Sequence, residues 1–151
     1  VLLGPDVRIE CTVVGDGPQR ASAERTARRL GLPVRFTGRL PLSGIREVFA
    51  ASDAFAQASV LESFGIAALE ARTFGLPVIA RAQAGTSEFI HDGVEGLLAI
   101  DDGGLADALA LLGRDPALGE RIAAHNVAVP PEQTWDHACD RASALYAAAG
   151  A

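Results

Sequence analysis

Apolar positions along this chain follow two rhythms. Runs rich in valine, isoleucine, leucine and phenylalanine over 8–14, 34–37, 53–57, 76–79 and 95–100 read as strands. Between them the apolar residues are spaced as on one helix face. That spacing predicts helices over about 19–30, 43–51, 66–74, 101–112, 115–124 and 135–149, and a shorter one ending near His91. The punctuation agrees: Gly31 and Gly75 fit helix stops, Ser43 a helix cap, Pro116 a first helical position, and Gly15-Asp-Gly-Pro18 and Asp92-Gly93 turns. Residues 126–133 read as a proline-bearing connection. Strands alternating with helices imply an α/β fold with a parallel sheet covered on both faces. Ligands of such sheets bind beyond the carboxyl ends of the strands. The loops at Gly15-Asp-Gly, Gly38, Glu62 to Gly65 and Gly85-Thr-Ser are therefore expected to share one edge.

One of these loops carries most of the chemistry. Ser63, Phe64 and Gly65 read as the start of the helix over 66–74, whose free amides and positive dipole end suit a phosphate. Glu62 stands just before that start and Glu70 eight residues later, roughly 12 Å further along at about 1.5 Å rise per residue. Carboxylates repel a pyrophosphate, so a pair flanking an anion site makes sense as acceptors for hydroxyls on either side of it. One would hold a sugar diol and the other a ribose diol, the two ends of a nucleotide sugar. Glutamates eight apart also occur on many solvated helices. Phe64-Gly65 and Gly75-Leu-Pro77-Val at fixed offsets single this pair out.

Composition narrows the partner. A chain of 151 residues is expected to be one domain with a real core, and a net charge of -6 argues against a nucleic-acid or anionic-membrane surface. All thirteen basic residues are arginine, so any role needing a lysine must be filled from elsewhere. Cys11 and Cys139 read as buried thiols in a reducing compartment. No apolar run reaches the length of a transmembrane segment. The expected location is the cytoplasm, peripheral contact with the inner membrane face included. The three histidines are scattered and no two aspartates are separated by a single residue, so no metal-ligand set is visible and no cofactor is expected. His91 reads as a residue favourable to a helix C-terminus, and His125 and His137 as surface positions. Thr86 and Ser87 read equally as caps or as phosphate contacts, and Trp135 as an anchor for the last helix.

These motifs together resemble the C-terminal, donor-binding half of retaining glycosyltransferases of the GT-B architecture, family 4 (glycosyl transferases group 1), which has a Rossmann-like sheet. The resemblance rests on Val14-Gly-Asp-Gly-Pro18, Val34-Arg-Phe-Thr-Gly38, Ser59-Val-Leu-Glu62-Ser-Phe-Gly65, Glu70-Ala, Gly75-Leu-Pro77-Val, Gly85 with Glu88, Asp92-Gly93 with Gly96, and Trp135 before Tyr146. It implies that Glu62, the candidate catalytic residue, faces the hydroxyls of the donor sugar. The amides of Phe64, Gly65 and Ile66 would hold sugar and diphosphate, and Glu70 the ribose. Backbone from Arg35 through Gly38 to Leu40 would border the base, and Gly15 and Ser63 complete the donor-binding set. The resemblance further implies retention of anomeric configuration without a metal, the leaving-group charge being met by amides and basic side chains.

Departures from the family pattern set further expectations. The family's domain begins one strand earlier, with a loop carrying an arginine and a lysine that grip the diphosphate. Val1 is read as an internal position of a truncated domain, and Val1 to Pro5 as the tail of an interrupted element. If the usual strand order holds, the central strand is absent and a gap is expected between its neighbours. More chain upstream, or a partner segment, is expected to fill it. The acceptor-binding N-terminal domain is also expected elsewhere, so this piece alone should be inactive. Gln57-Ala58 departs from a pair that commonly ends in proline. Two other classes stay open at this stage: a nucleotide-sugar epimerase of the same architecture, and a non-catalytic nucleotide-binding module or assembly fragment.

Overall fold

Strand β4 (Val78–Arg81) is the pivot of the fold. Val78, Ile79 and Ala80 have no exposed surface, as a strand covered on both faces requires, and this is why the run reads as continuously apolar rather than alternating. Val78 and Ala80 join Ala68, Ala71, Leu76, Phe49, Phe89 and Ile90 on one side. Ile79 joins Leu97, Ala99, Leu105 and Ala108 on the other. Burying each such valine, leucine, isoleucine or phenylalanine side chain contributes about 1.5–3 kcal/mol.

The computed structural model describes residues 7–150, without the side chain of Trp135. Its chain runs through β1 (Cys11–Val14), α1 (Arg20–Arg29), β2 (Val34–Gly38), α2 (Leu42–Ala50), β3 (Phe55–Gln57) and α3 (Ile66–Thr73) to β4. A 3-10 turn at Gly85–Glu88 leads on to β5 (Gly96–Ala99), α4 (Asp102–Arg114), α5 (Pro116–Ala128) and α6 (Trp135–Ala148). Every ladder is parallel, so the expected α/β class holds. The strands form two sheets, however, β1-β2 and β3-β4-β5, with no ladder between β1 and β3 among the described residues.

Local chemistry explains several element ends. Gly75, at φ +84°, takes the left-handed conformation that stops α3. Asp101 Oδ1 accepts from the amide of Gly104 at 2.8 Å and Asp115 Oδ1 from that of Leu118 at 3.1 Å, capping α4 and α5.

Several expectations need correction. The first strand is shorter than 8–14, because among the described residues β1 pairs only with β2, and Val34–Gly38 pairs with nothing before Cys11. Cys11 is exposed rather than buried, because β1 packs on β2 and no described helix packs closely over its faces, and Cys139 is exposed on α6, a helix exposed along its described length. Ser43 lies inside α2, whose N-cap is Pro41 in extended conformation. Helix α5 continues to Ala128, so the connection before α6 begins only at Val129. His125 is half-buried, its Nε2 3.6 Å from Glu95 Oε1, and His91 bonds the same carboxylate. Val1 to Pro5 and the anchoring role of Trp135 lie outside the described residues and side chains.

Candidate functional site

Parallel strands β3 and β4 end at Gln57 and Arg81, so the loops that leave them emerge from the same edge of the sheet. The two loops are tied together. The amide of Gly85 donates to the carbonyl of Glu62 at 2.8 Å, and a Cβ on Gly85 would overlap the backbone of Ser63. Arg81, almost wholly buried, donates from Nε to the Ala58 carbonyl at 3.3 Å and from Nη2 to the Asp102 carboxylate. It braces the first loop from below and links it to the start of α4.

Helix α3 begins at Gly65, which adopts φ +90° and ψ +56°. A side chain there would be strained, and it would also overlap the methyl group of the fully buried Thr86. The tight start leaves the first amides of the helix without intrahelical partners. Glu62 answers them: its Oε1 accepts from the amide of Gly65 at 3.0 Å and from that of Phe64 at 3.3 Å. Its Oε2 accepts from Nε2 of Gln57 at 2.9 Å. Two of the three amides expected to face a ligand, those of Phe64 and Gly65, thus carry a carboxylate of the protein itself.

Phe64 fixes the loop in the core, its ring centroid 5.3 Å from that of Phe89. Ser63, Leu61 and Ile66 are exposed around it, Leu61 at 98%. Glu70 lies further along α3, exposed, and no side-chain bond to it is seen among the described residues. It stands in open solvent on the helix that starts just after Glu62.

The remaining expected positions form a second group. Gly15, at φ +124°, donates its amide to the carbonyl of Gly38, at φ +74°, with N···O 2.8 Å, so the glycine loops after β1 and β2 meet. Arg35 and Leu40 line a hollow between β2 and α2 with Thr37, Gly44, Glu47 and Val48. The Arg35 guanidinium reaches Thr12 Oγ1 at 3.4 Å. No hydrogen bond among the described residues joins this group to the one around Glu62.

Sequence reasoning passed over Gln57 and Arg81 as working parts. The signal was present in each case: a polar or charged residue closing an apolar strand, Phe55-Ala56-Gln57 and Val78-Ile79-Ala80-Arg81. No described helix is long and apolar enough to cross a membrane.

Known proteins resemble this chain in sequence and in fold. Residues 3–126 match the family model described as glycosyl transferases group 1. The D-inositol 3-phosphate glycosyltransferase of Kribbella flavida is 38% identical over 115 residues, covering 72% of this chain and 27% of that protein. Its counterpart from Actinosynnema mirum is 36% identical over 156 residues, covering 94% and 37%. The chain therefore spans about a third of the length of these relatives. Among solved structures, Anabaena Alr3699/HepE in complex with UDP-glucose superposes with a TM-score of 0.71 at 29% identity, over 79% of this chain and 35% of that one. The C-terminal domain of the glycosyl transferase group 1 protein LpcC from Francisella tularensis gives 0.70 at 28% identity, over 78% and 66%. The fold is that of the Rossmann-like C-terminal domain of GT-B glycosyltransferases. With the motif order, the helix-start loop and these likenesses in agreement, the chain belongs to the glycosyl transferases group 1 family.

Proposed function

We propose that this chain is the donor-binding part of a retaining family 4 glycosyltransferase, which takes a nucleotide-diphosphate sugar without a metal ion. The observation that carries the reading is the start of α3, where the amides of Phe64 and Gly65 already hold an oxygen acceptor, Glu62 Oε1. A donor would exchange its own oxygens onto those amides. Glu62 then turns its accepting capacity to the sugar hydroxyls, and Glu70 accepts from the ribose. Charge developing on the leaving diphosphate meets fixed amides and the positive end of α3, which need no reorganisation as the bond breaks. HepE, solved with UDP-glucose, makes uridine sugars the first donors to test. The acceptor belongs to residues outside this chain, which alone should not transfer.

Calorimetric titration of the full natural polypeptide with UDP-glucose, GDP-mannose and ADP-glucose, with and without a chelator, tests the reading. One of them should bind, equally well in both conditions. Glu70→Ala should weaken the free nucleoside diphosphate about tenfold, and unchanged affinity would remove the ribose role. The anomeric configuration of the transfer product, read by NMR, decides retention.

A further inference from the structure

We infer that Gln57 is a positioning residue of the donor site: its carboxamide sets the orientation in which Glu62 meets the sugar. The inference rests on the donor-site reading above. Gln57 closes β3 and pairs with Ala80 of β4, so its backbone is held by a ladder rather than by a loop. From there Nε2 donates to Glu62 Oε2 at 2.9 Å. A carboxylate only accepts, so the donor end of the carboxamide must face it and the oxygen must turn away. That oxygen, Oε1, is enclosed and has no partner among the described residues. It lies 3.5 Å from where a Cβ on Gly65 would stand, against the start of α3 rather than toward a ligand.

Two features argue that this arrangement serves the site and not the core. Leaving a buried amide oxygen unpaired is unfavourable, and a leucine or methionine of similar size would avoid it. The polar residue stands where its other end reaches Glu62. The geometry also gives it a task. Both amides that hold Glu62 bind the same oxygen, Oε1, and an anchor on one atom leaves the carboxylate free to turn about it. Gln57 holds the second oxygen and so fixes the plane, leaving accepting capacity on Oε2 for a hydroxyl. When sugar oxygens take over the amides, Gln57 is the donor that still holds Glu62. Its effect should therefore appear with the sugar-bearing ligand and not with the bare nucleotide.

The test is a double-mutant cycle in the full natural polypeptide. Wild type, Gln57→Leu, Glu62→Gln and the double variant are titrated with UDP-glucose and UDP, then with the guanosine and adenosine pairs. Gln57→Leu should weaken the nucleotide sugar about tenfold and leave the nucleoside diphosphate within about twofold, which also shows the fold intact. In the Glu62→Gln background it should add almost nothing. Gln57→Glu, which sets a second carboxylate against Glu62, should weaken the nucleotide sugar at least as much. Equal losses for sugar-bearing and bare nucleotides, or an undiminished effect in the Glu62→Gln background, would overturn the inference. If the wild type binds and Glu62→Gln weakens it while Gln57→Leu does not, this inference alone falls. If no nucleotide sugar binds the wild type, the donor-site reading falls and this one with it.

Discussion

The Arg72 guanidinium and the Glu95 carboxylate meet at 3.4 Å with each side chain only 7% exposed, at the edge of the sheet opposite the glycine loops. Arg72 also donates to the carbonyls of Phe89 at 2.6 Å and Val129 at 3.5 Å, joining α3 to the segment before β5 and to the end of α5. Asn126 adds bonds to the carbonyls of Leu76 at 2.9 Å and Glu95 at 3.0 Å. Breaking such a pair leaves a buried charge uncompensated, which costs more than the pair itself contributes. Arg72→Met should therefore lower stability by about 3 kcal/mol, the low end of the usual range because His91 stays against Glu95. The double change Arg72→Met with Glu95→Leu should cost less than either alone. Urea unfolding of the four proteins checks this, and additive losses would rule it out.

The same carboxylate makes a prediction about acid. Burial pushes the Glu95 carboxyl upward, but the His91 amide at 2.8 Å, the His91 ring at 3.0 Å and the Arg72 charge outweigh it and hold it below its ordinary value. His125, 3.6 Å from Oε1, faces it from α5. A carboxyl depressed by folding contributes stability that is complete above its unfolded value, about pH 4.3, and is lost as pH falls through the lower folded value. The stability gap between wild type and Glu95→Gln should be widest at neutral pH and close progressively below about pH 4. A gap that does not change with pH would mean that Glu95 titrates alike in both states.

What could be read from the residues, and what could not, follows from the range of each interaction. Strand and helix order, the start of α3 at Gly65 and its stop at Gly75 rest on period and on local backbone preference, and both survive in a bare sequence. The donor loop was legible because glycine, phenylalanine and glutamate stand within a few residues of each other. Arg72 with Glu95, and Gln57 with Glu62, were not. The first pair is 23 residues apart and forms only once α3 packs on β3 and β4 and brings Arg72 to the residue before β5. In the second, a strand-end glutamine looks like a minor departure until the pleat aims it at the loop. The exposure of Cys11 was hidden for a related reason: an apolar run declares a strand, not whether its faces are covered.

A last expectation concerns shape at the site rather than charge. Gly85 is not at positive φ, so its requirement is space: a Cβ there would overlap the Ser63 carbonyl and stand 2.8 Å from the Phe64 amide nitrogen. The same close approach lets the Gly85 amide bond the Glu62 carbonyl at 2.8 Å. Alanine would force the two loops apart and move the Phe64 and Gly65 amides with them. Gly85→Ala should cost about 1–3 kcal/mol of stability. It should also weaken nucleotide-sugar binding more than tenfold, since amides aimed at a ligand tolerate little displacement. Gly93→Ala is the control. Gly93 sits at φ +77° with open space around it, so alanine there brings backbone strain of about 1 kcal/mol and no collision. The control should lose stability and keep its ligand. Equal loss of binding in both variants would trace the effect to general destabilisation, whereas loss confined to Gly85→Ala ties donor affinity to the contact between the loops after β3 and β4.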